Sequence, residues 1–551
     1  MRLSRFTALP LAVFGGFMLD LASPSANLWP LAFPAVAFVL AAVWQQSAKA
    51  GALLGAVAGA AFWMPHISWL TTYLGPVPWL ALSVFMTAWF SVMGAAIAFT
   101  TGALTRLPWL QHRPALHPLV LSVAVTAIWV TREQIQTSWP YGGFSWGRVV
   151  FTQSESPFAE SVSWIGLAGL SAVMVFTMSL IVATLGKARP GATRSAPEDH
   201  SANTRFAALA TALVVLILSA LAPAAVTGTE ADRTLRVAGI QGNAKAGIFD
   251  DRESGDVIRS HINATRDYLA AVQSGHAQGA DVLVWPENSA EFDVRENLTN
   301  YREVASLARQ AQAPIVIGSI LRDTATTFDT GSGEATDHDL FFNSALVMTP
   351  DGTLTERYDK INPVPFGEYM PHRAFYRALA PDLVDLVQLD YQPGTKSSVV
   401  DISGNATGLA VCFDITFDRH TTEMIGDNAE IVYALTNNAD FGQTDESVQQ
   451  LAITRLQAIA MGRSLVNVST VGTSEILAPD GSTLAAIESF VPGAVVAEVP
   501  IVSATTPAMR FGHIVTAALI AAAVLALGAA ITVTATGAGS AAKRDALRAA
   551  R

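Results

Sequence analysis

Only one cysteine, Cys412, occurs in 551 residues, and only 14% of the residues are charged. A lone thiol excludes an intramolecular disulfide and any zinc site built from several thiolates. Soluble domains carry roughly 25% charged residues, so part of this chain belongs in lipid. Four long windows, 78–105, 161–186, 206–229 and 511–542, contain no Asp, Glu, Lys or Arg. No basic stripe is present, which sets a nucleic-acid surface aside. No cluster of ligating residues stands out, so neither a metal nor a cofactor is expected.

What charge there is lies in one block. Residues 229–511 hold 38 Asp/Glu and 19 Lys/Arg, against 7 and 15 in the remainder. An acidic insert is therefore framed by apolar, weakly basic flanks. A membrane helix needs about 20 apolar residues. Besides the four windows above, 8–23, 28–46, 50–72 and 114–131 are weaker candidates. Together they make eight spans, seven before the insert and one after it.

Basic residues set the orientation. Arg2 and Arg5, Lys49, Arg106 and Arg113, the group Lys187, Arg189, Arg194 and Arg205, and the tail Lys543, Arg544, Arg548 and Arg551 all fall on one side of an eight-span chain. Both termini are then cytoplasmic and the insert lies outside. A cleaved leader ending near ASPSA (22–26) would leave seven spans and the same placement. The aromatic loop SWPYGGFSWG (138–147) reads equally as an interfacial belt or as the lining of a lipid entrance. The expected domains are 1–229 (seven transmembrane helices), 230–505 (catalytic) and 506–551 (a last helix and a basic tail).

The insert alternates short β-branched runs with helical spacing, which predicts a layered α/β domain. Strands are expected at 234–242, 280–288, 313–321, 343–352, 408–415, 429–437 and 464–472, and helices at 256–275 and 446–463. The polar stretch 321–340 reads as a surface excursion or a lid.

Three of these runs lead into reactive residues. Glu287 closes VLVWPE, Lys360 opens KINPVPFGEYMP, and Cys412 closes GLAVC. Taken alone, a free cysteine is most often a small buried hydrophobe. Together the three residue types make a chemistry. A free thiol with pKa near 8.5 is only a few per cent thiolate at neutral pH, and a carboxylate can take its proton and later return it. An ammonium can hold the oxyanion formed when sulfur attacks a carbonyl.

WPENS, KINPVPFGEYMP and CFD resemble the signature segments of the nitrilase superfamily of carbon–nitrogen hydrolases. The eight-span frame resembles, within it, the apolipoprotein N-acyltransferases. SWPYGGFSWG is loosely similar to their F-P-W-L-x-x-G-Y-S segment. The resemblance implies a four-layer α-β-β-α sandwich outside a bacterial cell membrane, carried on a multi-pass helical bundle. It implies Glu287 as general base, Lys360 as oxyanion stabiliser, Cys412 as nucleophile, and Glu368 as a second carboxylate orienting the lysine or the thiol. Asn343 matches a further family position. The implied partners are a phospholipid acyl donor and a diacylglyceryl apolipoprotein acceptor. A monomer is expected, and no cofactor, since Lys360 already serves the oxyanion. Two departures stand out: Asp414 replaces a glutamate after the cysteine, and Asp440 replaces a tryptophan in NNADFG. A membrane-tethered amidase and a decayed binding protein stay open as other readings.

Overall fold

The computed structural model describes residues 3–185, 198–229, 231, 233–247, 251, 253–328 and 335–549. Lys187, Arg189 and Arg194 of the charge pattern lie outside the described residues, as do Arg2 and Arg551. The chain divides into two units. One comprises Met1–Thr71, Gly75–Pro223 and Arg510–Arg551; the other comprises Thr72–Leu74 and Ala224–Met509.

The first unit is helical. Each apolar window falls on a helix: Arg5–Ala22, Ala32–Val43, Ala48–His66, Pro76–Leu104, His117–Gln136, Val162–Leu185, Glu198–Ala220 and Pro507–Ala549. Among the described residues, Arg5–Ala22, Pro76–Leu104, Ala159–Leu185 and Pro507–Thr536 are long and apolar enough to cross a membrane. Trp29–Val43 and Arg205–Ala220 are shorter apolar stretches. The seventh window stops being helical at Ala220, short of its expected end at 229. Pro223, close behind, cannot continue a helix.

Helix approach in this unit depends on a glycine stripe. Gly51, Gly55 and Gly59 recur every fourth residue along Ala48–His66 and face Pro76–Leu104. A Cβ on Gly51 would lie 2.4 Å from the Gly94 carbonyl oxygen, and one on Gly55 2.3 Å from that of Phe90. Small residues let two backbones touch where lipid offers no hydrophobic drive for association. In the aromatic loop, Trp146 is buried, stacks on Phe144 and meets Trp69 at a tilt, while Trp139 remains exposed.

The second unit contains two six-stranded sheets. The first has the order β12-β1-β2-β3-β4-β5, with β1 Arg233–Gln241, β2 Val282–Val284, β3 Ile315–Phe328, β4 Ala335–Met348, β5 Leu354–Asp359 and β12 Gly493–Ile501. The second has the order β11-β10-β9-β8-β7-β6, with β6 Val399–Ile402, β7 Asn405–Val411, β8 Ile431–Thr436, β9 Ser464–Ser469, β10 Ser474–Leu477 and β11 Thr483–Ile487. The centre of each sheet is parallel: β1-β2-β3 and β7-β8-β9.

Val237, Val282, Val284 and Val316 of the first sheet pack with Leu409, Val411, Ile431, Tyr433 and Val466 of the second. Full burial of one such aliphatic side chain stabilises by about 1.5–3 kcal/mol, so this shared core glues the sheets together. Helices Asp256–Gln273 and Leu298–Ala311 cover the outer face of the first sheet. Asp418–Gly426 and Glu446–Met461 cover that of the second. The result is the expected α-β-β-α sandwich.

The stretch at 321–340 corrects an expectation. It is not irregular: β3 and β4 continue into it as a long antiparallel hairpin, paired from Ile315↔Met348 out to Phe328↔Ala335, with Arg322, Thr324, His338 and Asp339 exposed. Its threonines suit extended backbone, and its polarity had masked that. Residues 329–334 lie outside the description.

Candidate active site

Glu287, Lys360 and Cys412 each follow a strand end, while Asn343 lies within β4 and Glu368 in the loop after β5. β2 stops at Val284 because the chain runs into Trp285-Pro286, and the proline cannot donate to a ladder. Glu287 follows at once. The turn is pressed against β3 at Gly318, where an added Cβ would sit 2.2 Å from the Pro286 oxygen and 2.8 Å from Glu287 Cα. Ser289 Oγ ties it down, accepting from Gly318 N–H at 3.1 Å. Gly318→Ala should therefore destabilise the fold by about 1–3 kcal/mol and displace Glu287. Thermal unfolding, together with the activity of the folded fraction, checks this.

Lys360 follows β5, its N–H bonded to the Asn343 carbonyl of β4 at 2.8 Å. Its ammonium is 1% exposed and lies 3.2 Å from Glu287 Oε1 and 2.8 Å from Glu368 Oε2. Asn343 Nδ2 donates to both carboxylates, at 2.7 Å to Glu287 Oε1 and 2.7 Å to Glu368 Oε1. Val364 N–H donates to Glu368 Oε2 at 2.6 Å. The second carboxylate thus bonds the lysine.

Cys412 follows β7 and begins a tight 3-10 turn, Cys412–Thr416. Its φ is +49°, a left-handed conformation that costs a non-glycine residue about 1–2 kcal/mol. Asp414 holds this elbow. Fully buried, its Oδ2 accepts from Val411 N–H at 3.2 Å and from Tyr358 hydroxyl at 2.7 Å. Its Oδ1 accepts from Asn362 N–H at 2.9 Å and Nδ2 at 2.8 Å. Asp414, one methylene shorter than the usual glutamate, is thus well bonded here. The half-buried Cys412 Sγ accepts from Gln450 Nε2 at 3.6 Å. Asp440 lies in the short turn Ala439–Phe441, whose Phe441 ring packs on Tyr73 with centroids 5.4 Å apart.

The electrostatics follow from burial and one unbalanced charge. Burial pushes Glu287 above the usual carboxylate range, opposed by Lys360 and reinforced by Glu368. Burial alone would lower Lys360, but Glu287 and Glu368 overturn it and hold the ammonium well above its ordinary value. Burial, then the Glu287 charge, keeps the Cys412 thiol well above its ordinary value, with Lys360 opposing. Burial first and the Glu287 charge second thus outweigh the single ammonium, so the resting thiol keeps its proton. Among the described residues, no group of three or more His, Cys, Asp or Glu is placed to hold a metal.

Glu287, Lys360 and Glu368 are thus directly bonded, and they act on the Cys412 thiol through their charges. Tyr358, Asn362, Asn438, Glu446 and Gln450 were not singled out from sequence. Glu446 and Gln450 lie on the expected helix 446–463, and Asn438 lies in the NNADFG segment, where only Asp440 drew notice.

Residues 15–180 match the apolipoprotein N-acyltransferase N-terminal domain, and residues 257–506 match the carbon–nitrogen hydrolase domain. An apolipoprotein N-acyltransferase of Mycolicibacterium smegmatis is 30% identical over 95% of this chain and 85% of its own length. One of Geobacter metallireducens is 26% identical over 87% of each chain. Among solved structures, a carbon–nitrogen hydrolase of Helicobacter pylori is 18% identical over 52% of this chain and 92% of its own, with a TM-score of 0.34. With both domain models matched in order and a relative of this identity aligned over nearly the whole length, the chain belongs to the apolipoprotein N-acyltransferase family.

Proposed function

We infer that the protein moves an acyl chain from a phospholipid to the α-amino group of the N-terminal diacylglyceryl-cysteine of lipoproteins, by way of a thioester on Cys412. The observation that carries this reading is the bonded cluster of Glu287, Lys360 and Glu368 acting on the strained Cys412 elbow.

In the first half, Cys412 Sγ attacks the ester carbonyl of the phospholipid and its proton passes to Glu287. A C–S bond forms and the oxyanion is held by Lys360 Nζ. The intermediate collapses with loss of the C–O bond, and Glu287 returns the proton to the departing alkoxide, leaving a lysophospholipid. In the second half, the lipoprotein amine attacks the thioester and loses a proton to Glu287. A C–N bond forms, the C–S bond breaks, and the sulfur leaves and is reprotonated. A carboxyl that burial holds above its ordinary pKa suits this alternation, since it is a better proton acceptor than an exposed carboxylate and can still return the proton. Glu368 and Asn343 fix Lys360 and Glu287 between the halves. Hydrogen bonds that are long in a resting site tighten when substrate arrives, which fits a thiol still protonated at rest.

In this reading residues 1–229 and 506–551 form an eight-span membrane part with both termini cytoplasmic. Residues 230–505 form the catalytic domain on the outer face of a bacterial cell membrane. Both substrates are lipid-anchored, which is what such a frame serves. The second unit contains all four site residues, which fits a monomer.

The test is direct. Purified protein mixed with phospholipid should gain an acyl mass on the peptide containing residues 408–417. Adding a diacylglyceryl-cysteine peptide should discharge it onto the peptide amine. If the adduct discharges only to free fatty acid while the amine stays unmodified, the protein is a hydrolase.

A further inference from the structure

A second buried carboxyl lies near the thiol and has no part in the steps above. Glu446 opens the helix Glu446–Met461 and is 3% exposed. Its Oε2 accepts from Asn438 Nδ2 at 2.7 Å. The same Nδ2 donates to Gln450 Oε1 at 3.0 Å. Gln450 stands one helical turn after Glu446 and gives its Nε2 to Cys412 Sγ. Asn438 Oδ1 in turn accepts from Ser469 Oγ at 2.6 Å and from Thr436 Oγ1 at 3.5 Å. Asn438 and Gln450 are both buried.

The donors run one way along this line, from the Ser469 and Thr436 hydroxyls on the Asn438 oxygen to the Gln450 N–H on the sulfur. With Ser469 on its oxygen, Asn438 presents its NH2 group to Glu446 and Gln450. Gln450 then offers oxygen to Asn438 and nitrogen to the sulfur. If Glu446 stopped accepting, Asn438 could turn over, and Gln450 could follow. A carbonyl oxygen would then face the sulfur and oppose its negative charge, where an N–H supports it.

We propose that Asn438, Glu446 and Gln450 are positioning residues for the transfer, locking the Gln450 N–H onto Cys412 Sγ so that the sulfur can carry charge when it attacks and when it leaves. The proposal rests on Cys412 being the nucleophile, as argued above.

The charged groups facing this line are Glu287, Lys360 and Glu368 at the thiol and Glu287 at Glu446. Burial, with the Glu287 charge adding to it and the Asn438 bond opposing, pushes the Glu446 carboxyl up to about 8. At neutral pH Glu446 is therefore mostly protonated, and the thiol feels little of a third carboxylate. As pH rises through that value Glu446 ionises and makes a thiolate harder to form.

Alkylation of Cys412 by iodoacetamide, followed on the 408–417 peptide across pH 6–10, reads the sulfur without any lipid substrate. Gln450→Met keeps the side-chain volume and removes the donor. Alkylation should slow by about tenfold or more at fixed pH, the range expected for a hydrogen bond to a charged group. Its rise with pH should also move upward. Glu446→Gln stays neutral at all pH and should steepen the rise above pH 8 relative to the unaltered protein. A merely structural role would lower the folded fraction, seen by thermal unfolding, without moving the pH profile of that fraction. Superimposable profiles for the unaltered protein and both variants would overturn the proposal, whatever the outcome of the acyl-transfer assay. Loss of the acyl adduct in the unaltered protein would instead overturn the thioester reading.

Discussion

Cys412→Ala abolishes both the acyl adduct and the acylated lipoprotein peptide, a rate loss of about 10⁴–10⁶-fold, the range seen when a covalent nucleophile is removed. Single-turnover mass spectrometry reads both species. Alanine keeps a Cβ, so it shares the left-handed strain at φ +49° and isolates the chemistry from the backbone. Stability should barely change, because the elbow is held by Asp414 through Val411, Tyr358 and Asn362 rather than by the sulfur. Cys412→Ser is expected to be nearly as inactive. It keeps an acceptor for Gln450, but a hydroxyl beside Glu287 and Glu368 is far harder to ionise than a thiol. Transfer at a substantial fraction of the normal rate in Cys412→Ala would remove the thioester from the mechanism.

The second large effect is expected at Lys360, where stability and catalysis must be told apart. Lys360→Met keeps the stem and removes the ammonium. Loss of one oxyanion donor costs about 10²–10³-fold in rate. The variant also leaves Glu287 and Glu368 facing each other in a buried site with Asn343 alone between them. Breaking a buried ion pair from one side costs about 3–5 kcal/mol of stability, so a thermal melt should fall sharply. The sign with pH is definite. The folded Lys360 ammonium is held above its ordinary value, so its contribution is full at neutral pH and fades only as pH rises past that value. The double variant Lys360→Met with Glu287→Gln removes one of the stranded charges. It should recover part of the stability and none of the rate, and melts and single-turnover rates on the three proteins separate the two effects. A double variant as unstable as Lys360→Met would mean that the ion pair is not what holds this region.

Much of this architecture was legible in the residues because it rests on local pattern. Uncharged windows announce helices, since lipid tolerates few ionised side chains. β-branched runs ending at Glu287 and Cys412 announce buried parallel strands, since both faces of those strands are covered. The hairpin at 315–348 was hidden because its outer half is polar, and polarity alone does not separate an exposed strand from a loop. Edge strands such as β5, with Glu356 and Arg357, escaped for the same reason. The glycine spacing at 51, 55 and 59 was there to be read, but its purpose needs the partner helix.

From the sequence alone came the residue types of the site, the α/β nature of the insert and its apolar frame, because each follows from composition or from neighbours a few positions apart. Tertiary structure alone decided that Glu368 bonds Lys360, that Asp414 reaches round to hold the elbow, and that Gln450 is the residue turned toward the sulfur. Each of these depends on strands and loops far apart in the chain meeting within hydrogen-bond distance. That distance is set by how two sheets pack, and no local spacing encodes it.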